Sequence, residues 1–316
     1  MLGVTAAAIV LLPLLAIGAA AFDTARLRLR LPTLRALLFV LQYLLNDSLE
    51  ILVVPLYWAL AGFGTRLDSP ASRRRHERLQ RWSIDVLSRR AERLLGVNID
   101  VDADSAATLE GGPLIVCCRH VNLLDASLPS LLLQRRGFHI RGVIMAEMLA
   151  DPGFDLLYGR LGSVFIPRDQ GPQAQQAVTR LAAGLTGRSA AVIFPEGRLF
   201  RPELLALSLA RLAVSAPERA ERLDGLRHVL PPRPGGLNAL LDALPQADVV
   251  FMAHTGLEGY PRFADLARAV PLRHPIRVVT WRVARSAIPT VTAERTMWLD
   301  TNWRRLDDWV HAYSEG

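Results

Sequence analysis

Apolar residues run almost without interruption from Leu2 to Phe22, and no charge falls among them. A stretch of that length predicts a helix able to cross a bilayer. A cleaved leader is the competing reading, because alanines near position 20 suit a cleavage site; no positive charge precedes the run, which favours an anchor. Arg26, Arg28, Arg30 and Arg35 follow directly, and the positive-inside tendency puts the chain beyond them on the cytoplasmic side. A second apolar stretch, 36–63, is interrupted by Asn46, Asp47 and Glu50, which are costly at the bilayer centre. Two short helices dipping into one leaflet would put that polar break at a turn; a second full span is the alternative. From Glu77 to Leu95 the apolar positions Leu79, Trp82, Ile84, Leu87, Leu94 and Leu95 recur at helical spacing and predict an amphipathic helix.

Beyond this point short apolar runs alternate with helical patterns. Residues 113–118, 140–145, 163–166, 190–194, 249–253 and 276–283 read as strands. Residues 126–134, 173–185 and 293–313 read as helices, the last with Trp298, Trp303 and Trp309 as anchors. Buried strands alternating with helices predict an α/β fold with a mostly parallel sheet flanked by helices. Pro231, Pro232 and Pro234 mark a loop within the domain. The expected organisation is a membrane-anchoring region over 1–70 and one catalytic domain over 71–316. The roughly 240 residues left after the membrane segments suffice for one domain with its own core.

Composition sharpens this only in part. Of the 316 residues 51% are hydrophobic, and the formal net charge is +7. No lysine occurs, so arginine carries all the basic charge. A GC-rich genome would produce the same arginine and alanine bias. The functional partners of such charge are an anionic membrane surface, a phosphate-bearing substrate or a nucleic acid. Nucleic acid is excluded as the main reading: no zinc-ligand spacing and no aromatic stripe accompany the arginines. Cys117 and Cys118 are the only cysteines. Neighbours rarely bridge each other, so no disulfide framework is expected and a reducing compartment is the simpler assumption.

His120 and Asp125 are the first pair with chemical promise. On one continuous helix, residues five apart point about 140° away from each other, so the two meet only if the chain turns between them. The local sequence allows that turn: an apolar strand ends at Cys118 and Asp125 stands just before a helical pattern. A carboxylate bound to one imidazole nitrogen fixes the tautomer and leaves the other nitrogen to take a proton from an alcohol. Alone the spacing is weak, since seven histidines give several chances of it. Two later segments add to it. Gly162 to Arg168 reads G-S-V-F-I-P-R, a strand ending in a cation, with Phe165 inside it; Phe194 to Arg198 reads F-P-E-G-R after another buried strand.

With these three blocks in order, the chain resembles the glycerolipid acyltransferase family, which includes the 1-acylglycerol-3-phosphate acyltransferases. The segment His228 to Gly236, running into the strand at 248–253, resembles that family's longer subgroup, which acts on lysophosphatidic acid, lysophosphatidylinositol or lysocardiolipin. The likeness extends over most of 75–313. It implies a one-step acyl transfer without an acyl-enzyme, with His120 as general base and Asp125 orienting it. It further implies that Arg168 holds the acceptor phosphate, and that Glu196, Gly197, Arg198, Gly162 and Phe165 line the acceptor site. The implied donor is an acyl-CoA or an acyl-carrier protein, the acceptor a lysophospholipid in the membrane. No cofactor or metal is implied. The active site is expected on the cytoplasmic side of the inner membrane.

Three departures from the family pattern stand out. Arg119 precedes the histidine where asparagine is usual, Asn122 takes the place of a serine, and Arg198 and Leu199 replace a threonine and an arginine. They leave room for a non-catalytic lipid-binding member of the fold. A rival chemistry would make Cys117 or Cys118 an acyl-carrying nucleophile; both precede His120 on one strand, and small core residues are the better reading.

Overall fold

In the computed structural model the described residues are 1–122, 124–167 and 171–314, the side chains of 171–175 aside. The apolar runs form seven strands: β1 (Ile99–Val101), β2 (Leu114–Cys118), β3 (His139–Met145), β4 (Val164–Ile166), β5 (Ser189–Ile193), β6 (Asp248–Thr255) and β7 (Ile276–Val283). The helices are α1 (Leu2–Ala25), α2 (Pro32–Leu60), α3 (Pro70–Arg90), α4 (Ala103–Thr108), α5 (Ser127–Arg135), α6 (Pro152–Phe154), α7 (Gly171–Ala182), α8 (Pro202–Ser215), α9 (Pro217–Leu223), α10 (Pro234–Ala243), α11 (Phe263–Ala269) and α12 (Thr292–Ser314). The strands form one mixed sheet in the order β1-β7-β6-β2-β5-β3-β4. β2 runs parallel to both β5 and β6, with Val116 opposite Val192 on one side and Val250 on the other. β7 closes on β6 antiparallel, and β1 then pairs parallel with β7.

The chain divides into two units. The second, residues 99–143, 166–261 and 276–316, holds most of the sheet. Its centre is dry: every residue of β2 is buried, as is every residue of β5. Such continuous apolar runs mark strands covered on both faces. Within this unit α4, α5, α10 and α12 pack on strands. Phe251 of β6 meets Trp281 and Trp298, each at 5.4 Å between ring centroids. Trp303 of α12 is fully buried and its Nε1 donates to Leu230 O at 3.0 Å. Trp309, expected as a third anchor, is half-buried and packs on Tyr313 of its own helix at 4.9 Å.

The first unit comprises residues 1–98, 144–165 and 262–275. α1 and α2 pair with each other, and each is long and apolar enough to cross a membrane, with mean hydropathies of 2.4 and 1.7. That pair points to membrane association. The polar break in the second apolar stretch is not a turn, because α2 runs unbroken through it for 29 residues. Asn46, Asp47 and Glu50 share one helical face by their spacing, and all three are buried. Asn46 Nδ2 donates to Ser83 Oγ of α3 at 2.7 Å and to Glu50 Oε1 at 2.9 Å, while Ser48 Oγ meets Thr5 Oγ1 of α1 at 2.7 Å. Partners on neighbouring helices meet part of this polar face, which removes the need for a turn, while Asn46 Oδ1 and Asp47 Oδ2 are buried without a hydrogen-bond partner among the described residues.

Candidate active site

β2 delivers the chain to Arg119 and His120, and the backbone then wraps around one carboxylate. Asp125 Oδ1 accepts from His120 Nδ1 at 2.6 Å. Its Oδ2 accepts from the backbone N–H of Val121 at 2.5 Å and of Asn122 at 2.8 Å. This is the turn that a five-residue spacing demands. Asn122 completes it, accepting from Leu124 N at 2.9 Å through Oδ1 and donating to the Tyr260 carbonyl through Nδ2. Asp125 is fully buried, whereas the His120 side chain keeps 16% of its surface open. A carboxylate at Nδ1 requires the proton there, so the lone pair is on Nε2. The imidazole rests on the Phe194 ring at 4.5 Å between centroids.

Glu196 holds the same histidine from its backbone. Oε1 accepts from His120 N and Oε2 from Leu230 N, both at 2.8 Å. Glu196 as a whole is 2% exposed. Burial pushes its pKa up to about 8, against the opposing pull of the two N–H groups and of Arg119. Glu196 does not stand at a helix start, because α8 begins only at Pro202. It sits instead in a turn closed by Gly197 N donating to Phe194 O at 3.0 Å. Gly197 takes φ +70°, a left-handed conformation that suits glycine, and a Cβ there would lie 3.3 Å from the Arg233 side chain. Beyond it Arg198 is half-buried, and Phe200 N donates to His120 O at 2.7 Å.

Two further groups, unassigned by the motifs, complete the floor. Arg119 is fully buried, and its guanidinium donates to His254 O and Glu258 Oε1, each at 2.6 Å, and to His228 O at 2.9 Å. Burial alone would raise the Glu258 carboxyl; Arg119 and nearby N–H groups outweigh it and hold Glu258 below the usual range. His254, at the end of β6, points Nε2 at Asp125 Oδ2 (3.5 Å) and at Arg119 O (3.4 Å). Two acceptors put the proton on Nε2, and Nδ1 has no hydrogen-bond partner among the described residues. Burial pushes His254 down to about 4, with Arg119 acting the same way against Asp125, so the ring is neutral near pH 7. One signal for His254 was present in the sequence: it ends an apolar run, and open α/β sheets gather their ligands at the C-terminal ends of strands.

The remaining expected residues divide as follows. Gly162 and Phe165 belong to the first unit; Gly162 turns at φ +93°, and Phe165 is half-buried in β4, its ring edge 3.2 Å from where a Cβ on Gly159 would lie. Arg168 lies outside the described residues. Cys117 and Cys118 are fully buried in β2, and burial raises both thiols far above their ordinary range. Without a thiolate neither has the form that attacks an acyl carbon, and both act as core residues. Among the described residues no group of three or more His, Cys, Asp or Glu is arranged to hold a metal ion.

Comparison with known proteins adds three findings. A family model described as Acyltransferase matches residues 98–256, half of the chain. Among solved structures the fold matches the 1-acyl-sn-glycerophosphate (LPA) acyltransferase PlsC from Thermotoga maritima, with a TM-score of 0.52. The match has 15% sequence identity and covers 89% of this chain and 97% of that one. No curated protein matches by sequence.

Proposed function

The chain belongs to the acyltransferase family, and from that premise we propose that it moves a fatty acyl group onto the free hydroxyl of a lysophospholipid. 1-acyl-glycerol-3-phosphate, giving phosphatidic acid, is the acceptor we favour. The observation that carries the proposal is the His120–Asp125 hydrogen bond at 2.6 Å, with Asp125 locked by two backbone N–H groups. It leaves one basic nitrogen on a side chain still open to solvent. The choice of acceptor is supported by that of the Thermotoga maritima enzyme, a 1-acyl-sn-glycerophosphate acyltransferase.

In the proposed step His120 Nε2 takes the proton of the acceptor hydroxyl as its oxygen attacks the carbonyl carbon of a thioester. The new C–O ester bond forms as the C–S bond breaks, and the departing thiolate takes the proton from His120, which returns to its neutral form. Asp125 steadies the imidazolium between the two events. Arg168 is kept as a partner for the acceptor phosphate, because a guanidinium binds phosphate through paired hydrogen bonds. Either acyl-CoA or an acyl-carrier protein serves as donor. Arginines flank both ends of α2, at positions 26–35 and 66–75. The positive-inside tendency holds both ends on the cytoplasmic side, with α2 embedded rather than crossing.

The test is acyl transfer by the detergent-solubilised full chain, from acyl-CoA and from acyl-carrier protein, to a panel of lysophospholipids. Transfer to lysophosphatidic acid supports the proposal in full. Transfer only to lysophosphatidylinositol or lysocardiolipin keeps the chemistry and replaces the headgroup. No transfer from either donor to any acceptor leaves a lipid-binding protein and refutes the proposed enzyme.

A further inference from the structure

Four arginines crowd the loops around His120 among the described residues, and they are not equivalent. Arg119 is fully buried and committed to three acceptors. Arg201 donates to the Pro261 carbonyl at 2.9 Å. Arg198 is half-buried and has a partner of its own. Arg233 differs from all three. Its side chain is exposed, and its guanidinium makes no hydrogen bond or ion pair among the described residues. Its backbone is nevertheless fixed: Arg233 N donates to Pro195 O at 2.8 Å, between Pro232 and the first residue of α10, Pro234. Two prolines limit the backbone on both sides.

The position of that guanidinium is tied to the base through short links. Its Cζ and Nε lie 3.3 Å from the place a Cβ on Gly197 would occupy, so it lies over the turn 194–197. That turn supplies Phe194, which carries the His120 ring, and Glu196, which accepts from His120 N. Glu196 also accepts from Leu230 N, three residues before Arg233. The same turn thus sets both the base and a cation that has no partner among the described residues. Glu196, the carboxylate within that turn, is buried with both oxygens on backbone N–H groups and is not offered to Arg233. Any side chain at 197 would meet the guanidinium at once, which gives the glycine a second reason beyond its φ of +70°.

A backbone-fixed guanidinium that has no partner among the described residues, near a general base, matches an anion carried by the molecule whose hydroxyl is being deprotonated. We propose that Arg233 contacts the phosphate of the acceptor and so sets the preference for phosphate-bearing lysolipids. This inference rests on the reading of the chain as a lysophospholipid acyltransferase, and it adds a specificity residue to it.

The experiment uses the full chain in detergent, with Arg233→Gln and Arg233→Lys. KM is measured for 1-acyl-glycerol-3-phosphate, for 1-monoacylglycerol and for acyl-CoA. Loss of a charge-assisted pair predicts that Arg233→Gln raises KM for the phosphate-bearing acceptor by about 10- to 100-fold. Its kcat, its KM for acyl-CoA and its use of monoacylglycerol stay unchanged, and Arg233→Lys falls between. An unchanged KM for 1-acyl-glycerol-3-phosphate overturns the inference, and so does a rise confined to acyl-CoA, which would place the residue on the donor's phosphates. A second readout needs no turnover: glycerol 3-phosphate is expected to raise the unfolding temperature of the unaltered chain but not of Arg233→Gln. Equal shifts in both proteins, or none in either, overturn the inference. Absence of acyl transfer in the unaltered chain refutes the enzyme reading separately.

Discussion

Replacing Asp125 by asparagine changes one atom of the proposed base pair and leaves its shape intact. Two placements of the new amide are available. In one, the amide oxygen keeps the N–H groups of Val121 and Asn122, now 2.5 and 2.8 Å from Oδ2, and the NH₂ faces His120 Nδ1. The imidazole must then carry its proton on Nε2, and the basic lone pair is lost from the open side. In the other, the NH₂ faces two buried backbone donors. Each donor left unpaired costs about 1–3 kcal/mol, so this placement is worse by about 2–6 kcal/mol. The first placement wins, the fold survives, and the general-base contribution disappears. Asp125→Asn is therefore expected to lower kcat by about 10²- to 10⁴-fold with little change in KM. The assay is release of free CoA thiol from acyl-CoA in the presence of lysophosphatidic acid, beside an unfolding curve for each protein. Wild-type kcat in a folded Asp125→Asn protein would refute the tautomer reasoning.

Three further outcomes follow from the same geometry. Arg119→Met removes a cation with three acceptors and leaves Glu258 without its counter-ion, so chemical denaturation should show a loss of about 3 kcal/mol; an unchanged midpoint would remove Arg119 from the framework. His254 has its folded pKa depressed to about 4 from an ordinary 6.5, so its contribution to stability is present above pH 6.5 and lost as pH falls toward 4. Relative to His254→Gln, the unaltered chain should lose stability over that window at up to about 1.4 kcal/mol per pH unit, and parallel pH curves for the two proteins would contradict a buried neutral ring. N-ethylmaleimide should leave activity intact in the native protein, since Cys117 and Cys118 are fully buried; inactivation matched by modification of either thiol would revive the cysteine nucleophile.

Much of the sheet was legible because its strands are continuous apolar runs bounded by loops. β7 was placed over 276–283, the range it occupies, and β2 and β3 lie within a residue of expectation at each end. β1 was missed: three residues, Ile99–Val101, with Asp100 between two apolar positions, give too short a pattern to register. α8 and α9 both begin at a proline, a start signal that the sequence reading does not use. The sequence leaves α2 open because partners of its polar face come from α1 and α3, which no local pattern reveals. At the site, spacing and turn chemistry brought His120 and Asp125 together on paper. The sequence shows the departure at Arg119 but not its use, because its acceptors come from residues 228, 254 and 258, more than a hundred positions away. Glu196 was placed in the acceptor site by resemblance; its hydrogen bonds go to the backbones of His120 and Leu230, a link that depends on strands meeting in the sheet.

The measurement that bears most directly on the central claim is the appearance of labelled phosphatidic acid from labelled acyl-CoA and lysophosphatidic acid, made by the purified full chain and by His120→Ala. The expected result is steady product formation by the unaltered protein and a fall of about 10²-fold or more in the variant, with both proteins folded. Equal product from the two would show that His120 is not the base.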